Sequence, residues 1–178
     1  QAGAGTLTLT GATTYTGITT IDPGTSLIIE RDAPSLTSSS YTGGGNLEIR
    51  SVASSFSSAV TLAFGQLGSL GTLTLGRSTN TTAVTVNSSA TLSGTLTVNA
   101  PLTLGGSITS AGTQTYNGNV TIGASAVAVS TMGGGSPGST ITFAGSINGT
   151  TANANSLYLL SGAAEISVAG SVGGTTAL

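Results

Sequence analysis

Short runs in which apolar and polar residues alternate recur along the whole chain. They read TLTLT at 6–10, SLIIE at 26–30, NLEIR at 46–50, AVTLA at 59–63 and GTLTLG at 71–76. Further runs are AVTV at 83–86, GTLTV at 94–98, PLTLG at 101–105, NVTIG at 119–123 and AVAV at 126–129. TITFAG at 140–145, SLYLL at 156–160 and EISVAG at 165–170 complete the series. Each run is Leu-rich or β-branched and is bounded by Gly, Asn, Ser or Pro, which predicts strands separated by turns. No window holds apolar residues at i, i+3, i+4 and i+7 without a glycine or β-branched interruption, and Glu, Lys and Gln are scarce or missing. Helix is therefore not expected anywhere, and the chain reads as all-β.

The spacing of the runs selects the architecture. Leu7, Leu27 and Leu47 stand twenty residues apart, as do Leu9, Ile29 and Ile49. AGSINGTTA at 144–152 returns as AGSVGGTTA at 169–177, an offset of twenty-five. Such an offset, with two or three short strands inside it, is one coil of a parallel β-helix. The prediction is a single-stranded right-handed parallel β-helix (β-solenoid) of about seven to nine coils, forming one segment over residues 1–178 and a rod of roughly 35–40 Å. Inward ladders are expected from Leu7–Leu27–Leu47 and Leu9–Ile29–Ile49, with later members Leu73, Leu75, Val120, Ile122, Ile141 and Phe143, and Thr and Ser outside. A sandwich or β-prism also uses many short strands, but neither needs one phrase at a fixed offset. YNGN at 116–119 is a candidate for the tight hairpin loop that those folds favour.

Composition narrows the chemistry. Charged residues make up 4% of the chain, Lys and Arg together number three, and the net charge is −2. Nucleic-acid binding draws on many cations, so a nucleic-acid partner is excluded. Hydrophobic residues reach 38% yet never form the roughly 18-residue apolar block of a membrane-spanning helix. Cysteine is absent, which rules out disulfides and thiolate metal sites and leaves the chain tolerant of an oxidising exterior. Gln1 opens directly into repeat sequence, as in a processed product or an excised piece.

The stretch GAGTLTLTGATTYTGITTIDPGTSLII at 3–29 resembles the autotransporter-associated β-strand repeat of bacterial autotransporter passengers, whose usual form runs near G-x-G-T-L-T-L-[ST]-G-x-N-T-Y-T-G-G-T-T-I. Residues 3–21 follow it, with Thr13 where the repeat usually has Asn and Ile18 in place of its second Gly. GTQTYNGNVTIGASA at 112–126 and AEISVAGSVGGTTAL at 164–178 look like repeats of filamentous-haemagglutinin-type exoproteins. The resemblance implies a secreted or cell-surface β-helix of a Gram-negative bacterium, exported by an outer-membrane transporter and holding a functional module away from the cell. It supplies no catalytic residue.

Candidate chemistry is sparse. Triads and histidine metal sites lack their histidine. Paired carboxylates suffice for glycoside cleavage, and Glu30, Asp32 and Glu48 are the acids that could approach one another. The twenty-residue register instead sets Glu30 beside Arg50, with Arg31 nearby, as a structural ion pair on a solvated face. Asp22, before Pro23, reads as a β-turn residue, and Glu165 stands alone. Thr-x-Thr units could order water on a flat face, but Thr6 and Thr8 align with Ser26 and Ile28, then with Asn46 and Glu48, so that ladder is expected to be broken. Asn80, Asn87, Asn119 and Asn148 head glycosylation sequons of the kind that a Ser- and Thr-rich chain produces by chance. Of Tyr15, Tyr41, Tyr116 and Tyr158, most are expected to be buried or to flank turns. SSSYTGGGN at 38–46 and STMGGGSPGST at 130–140 read as loops leaving the coil, which makes Tyr41, Met132 and Pro137 the candidate partner contacts.

The leading expectation is a non-catalytic, cofactor-free stalk segment of an adhesin-like exoprotein facing a host or neighbouring-cell surface. The alternative is a self-assembling filament subunit that joins further copies through the solenoid ends, because the sequence shows no charged or bulky cap at either end. An ice- or glycan-binding β-helix is a more distant reading.

Overall fold

The computed structural model describes residues 4–11, 17–34, 40–62, 67, 69–135 and 137–178. Tyr15 and the centre of the opening phrase lie outside them. The chain is all-β, and its parallel strands stack into a β-solenoid of about seven turns. The one helical turn among the described residues is a short 3-10 segment at Met132–Gly134.

Eight strands form the longest sheet: β1 (Thr6–Leu9), β3 (Ser26–Glu30), β5 (Asn46–Arg50), β7 (Thr72–Leu75), β10 (Thr95–Val98), β13 (Gln114–Tyr116), β16 (Ile141–Phe143) and β19 (Ile166–Val168). Each is parallel to the next. Leu7 pairs with Leu27 and Leu27 with Leu47, as their spacing predicts. The ladder continues through Leu73, Leu96, Gln114, Ile141 and Ile166. A second face holds β6 (Val60–Leu62), β8 (Val84–Val86), β11 (Leu102–Leu104), β14 (Val120–Ile122) and β17 (Ile147–Gly149). A third holds β9 (Ala90–Leu92), β12 (Ile108–Ser110), β15 (Ala126–Ser130) and β18 (Ser156–Leu160). Nearer the N-terminus, β2 (Ile18–Thr20) and β4 (Ser40–Thr42) pair, and a bridge from Tyr41 to Leu67 extends them by one coil.

Alternation along each strand follows from this winding. In β7 and β10 the leucines and valine are buried and the threonines lie half-exposed outside. Inward side chains from all three faces meet in one core that runs up the axis. Val120 and Ile122 are inward as expected, but they belong to the second face and not to the ladder of Leu7. Tyr116 and Phe143 occupy successive rungs and stack with ring centroids 4.7 Å apart and planes within 7°. YNGN at 116–119 is a corner between β13 and β14, which lie in different sheets, so it closes no hairpin.

Corners must pass within a backbone's thickness of one another. Gly71 N–H donates to the Gly45 carbonyl at 2.9 Å, and Gly112 N–H to that of Gly94 at 3.0 Å. A Cβ on Gly94 would sit 1.6 Å from the Gly71 carbonyl oxygen, whereas one on Gly11 would meet nothing within 4 Å. Gly94→Ala is therefore expected to lower unfolding stability by about 1–3 kcal/mol, the usual cost of overpacking. Gly11→Ala should stay within roughly 0.5 kcal/mol. Chemical denaturation followed by circular dichroism checks both, and equal midpoints would refute the stacked-corner geometry.

Candidate functional site

Charged side chains gather where β3, β5 and β7 end. Register pairs Glu30 with Arg50. Arg50 Nε donates to Glu30 Oε2 at 2.6 Å, and Arg50 Nη2 lies 2.5 Å from the same oxygen. Arg50 Nη1 also reaches Glu48 Oε1 at 3.3 Å. Arg77, in the following coil, places Nη2 3.3 Å from Glu30 Oε2 and donates from Nε to the Ser51 carbonyl at 2.7 Å. The Glu30 hydrogen bond, followed by the Glu48 and Glu30 charges, raises the Arg50 pKa above its ordinary value against the opposing effect of burial. Partial exposure limits such a pair to at most about 1 kcal/mol.

Asp32 uses its carboxylate to hold the backbone. Asp32 Oδ1 accepts from the N–H groups of Val52 at 2.9 Å and Ala53 at 3.0 Å, tying one coil to the next. Asp22 accepts through its carbonyl from Thr25 N–H at 3.0 Å, closing a turn through Pro23 and Gly24, whose φ is +81°. Glu165 is exposed one residue before β19. Among the described residues no group of three His, Cys, Asp or Glu is placed to hold a metal ion. A groove of about 360 Å³ lies over the outer side of the first coils, with Ser26, Asn46, Glu48 and Thr74 in its wall. Its only acid, Glu48, already faces Arg50.

Gln114 replaces an aliphatic rung inside the core. Its Nε2 donates to Ser110 Oγ at 2.9 Å and to the Ser130 carbonyl at 2.7 Å, and its Oε1 accepts from the Tyr116 hydroxyl at 2.5 Å. Every polar atom of that amide has a partner, which makes its burial tolerable.

The expected loop residues divide. Met132 and Pro137 lie exposed on a real excursion from the coil, closed at its base by Thr131 and Ser139. Tyr41 is not a loop contact. It sits in the middle of β4 with 1% of its surface exposed. The three glycines after it form a corner tight against Ile21, where a Cβ on Gly43 would lie 2.3 Å from the Ile21 carbonyl oxygen. Three of the four sequon asparagines are engaged as corner ties. Asn80 accepts from Phe56 N–H, Asn119 from Ser146 N–H, and Asn148 from the N–H groups of Thr175 and Thr176. Asn87 is exposed.

The outward face of the long sheet corrects the threonine reading. The broken register holds through the first three coils, where Thr8 is followed by Ile28 and Glu48. Beyond them the column runs Thr74, Thr97, Thr115, Thr142 and then Ser167. A companion column joins Thr72 to Thr95. Thr113 and Thr140 extend it, since Leu96 N–H donates to the Thr113 carbonyl at 2.9 Å and Gln114 N–H to that of Thr140 at 3.0 Å. Counting rungs at a fixed twenty residues missed this array because coil length varies after Arg50, from 26 residues down to 18 and back to 27. Aligning GTLTL, GTLTV, GTQTY and STITF by phrase would have found it.

No family model matches the chain, and neither does any curated protein or solved structure.

Burial raises the Tyr116 hydroxyl pKa well above that of a free phenol. A raised native pKa contributes stability that is complete below the unfolded value, about 10, and is lost as pH climbs past it. The chain has no histidine or cysteine, so no side chain of ordinary pKa titrates between about pH 5 and 9. The melting temperature should be nearly flat across that window and fall above about pH 10, with a shallower alkaline fall in Tyr116→Phe. A steep change inside the window, or an unaltered alkaline slope in the variant, would contradict this.

Proposed function

We propose that the chain is a non-catalytic structural segment of a secreted or surface-displayed bacterial exoprotein, a stalk that holds adhesive modules towards a host or neighbouring cell. The observation that carries this reading is the uninterrupted inward ladder from Leu27 to Ile141, a stiff rod whose ionic contacts tie coil to coil. Solenoid stability adds up from neighbour contacts, so each coil can fold on the one before it, which suits a chain that emerges through an outer-membrane transporter. Lack of cysteine lets it cross an oxidising compartment without mispairing. The likeness of residues 3–21 to the autotransporter passenger repeat supplies the bacterial surface setting.

Splicing the chain between an outer-membrane β-barrel and a reporter epitope in a Gram-negative cell tests the proposal. The epitope should reach the surface and stand about 34 Å further from the membrane than without the insert, the height of seven interstrand steps. Retention inside the cell would overturn the stalk. End-to-end polymers of the purified chain, seen as concentration-dependent light scattering, would replace it with a filament subunit.

A further inference from the structure

Hydroxyl groups in this protein fall into two populations. Those at the corners are consumed by the fold: Thr25, Ser51, Thr79, Ser93 and Ser161, for example, each donate to a backbone carbonyl. Those on the outward face of β7, β10, β13 and β16 are not. Thr95 donates to Thr72 at 3.2 Å. The hydroxyls of Thr74, Thr97, Thr115 and Thr142 have no hydrogen-bond partner among the described residues.

These threonines form a lattice. Four successive rungs carry Thr at two positions separated by one inward residue, and every one lies at the surface. A parallel sheet fixes the spacings at about 4.8 Å between rungs and about 6.7 Å along each strand. β-Branched side chains are stiff at χ1, so a column can hold its hydroxyls and methyls in one repeating orientation. Both spacings lie near oxygen repeats in the faces of hexagonal ice. Methyl groups between the hydroxyls let water close into cages over the surface while the hydroxyls anchor it. Charge would impose its own hydration, and none falls within the array: Glu48 precedes its first rung and Glu165 follows its last. The array also lacks the exposed aromatic rings on which a sugar would stack.

We propose that this Thr-x-Thr face binds the surface of ice through a layer of water it has already ordered. The inference is independent of the stalk reading, since it concerns one side of the rod and not its ends or its setting. Each rung adds the same increment, so a bulky residue at the centre of the array should lift the whole face from the crystal.

The test uses the purified chain with a fluorescent label, partitioned into a slowly growing ice hemisphere and assayed for inhibition of ice recrystallisation. The protein is expected to enter the ice and to hold crystals small. Thr97→Tyr should abolish both effects. Thr85→Tyr, in the single-column ladder Thr61–Thr85–Thr103–Thr121 of the second face, should leave them intact. Circular dichroism melting confirms that both variants are folded. Exclusion of the folded, unsubstituted protein from ice would overturn the proposal. So would equal loss in the two variants, and so would retention on a polysaccharide matrix together with exclusion from ice.

Discussion

Everything in this molecule depends on the in-register parallel backbone ladder. Because β1 to β19 along the long sheet pair without a slip, each residue takes its surroundings from the residue one coil below. Like stacks on like. Leucines make an aliphatic axis, Tyr116 lies flat on Phe143, corner glycines nest on corner glycines, and threonines line up outside. A slip of one residue would turn every leucine of a strand outward and every threonine inward, so the alternation itself enforces the register.

Coil length is free to vary because the ladder constrains only the strands. Offsets between paired residues run from 18, between Leu96 and Gln114, to 30, between Val127 and Leu157. The extra residues leave at corners, where pairing lapses and buried backbone groups need other partners. Short polar side chains supply them. Asn155 Oδ1 accepts from the N–H groups of Thr150 and Thr151 while its Nδ2 donates to the Ala124 carbonyl, and Asp32 and Asn148 each accept from two successive N–H groups. This division of labour explains why a chain so poor in charge is so rich in Asn, Ser and Thr.

Much of the architecture was legible from alternation and offset alone. All thirteen runs read from the sequence contain strands. The six strands that went unread among the described residues, β2, β4, β9, β12, β13 and β17, are three residues long and hold one large apolar or aromatic side chain each. Strand β13 is the clearest case. Gln114 breaks the apolar alternation, and only the three-dimensional meeting of Ser110, Ser130 and Tyr116 makes its burial acceptable. The Glu30–Arg50 contact followed from the twenty-residue spacing, whereas Arg77 and the threonine array did not, because the next coil is 26 residues long. Tyr41 was misread because a run of glycines suggests a mobile loop when it can equally mark a corner pressed on another backbone.

Since the rod and its threonine face both follow from coil stacking, the most direct measurement is a cross-coil link. The protein has no cysteine of its own. Thr74 and Thr97 are paired on neighbouring strands, and Thr74 and Thr115 stand two strands apart. Disulfides need Cα atoms within about 7 Å, a distance that one interstrand step meets and two steps exceed. Oxidised T74C/T97C should form an intramolecular disulfide while T74C/T115C stays reduced. The reverse pattern, or linkage in neither, would contradict the stacked parallel register.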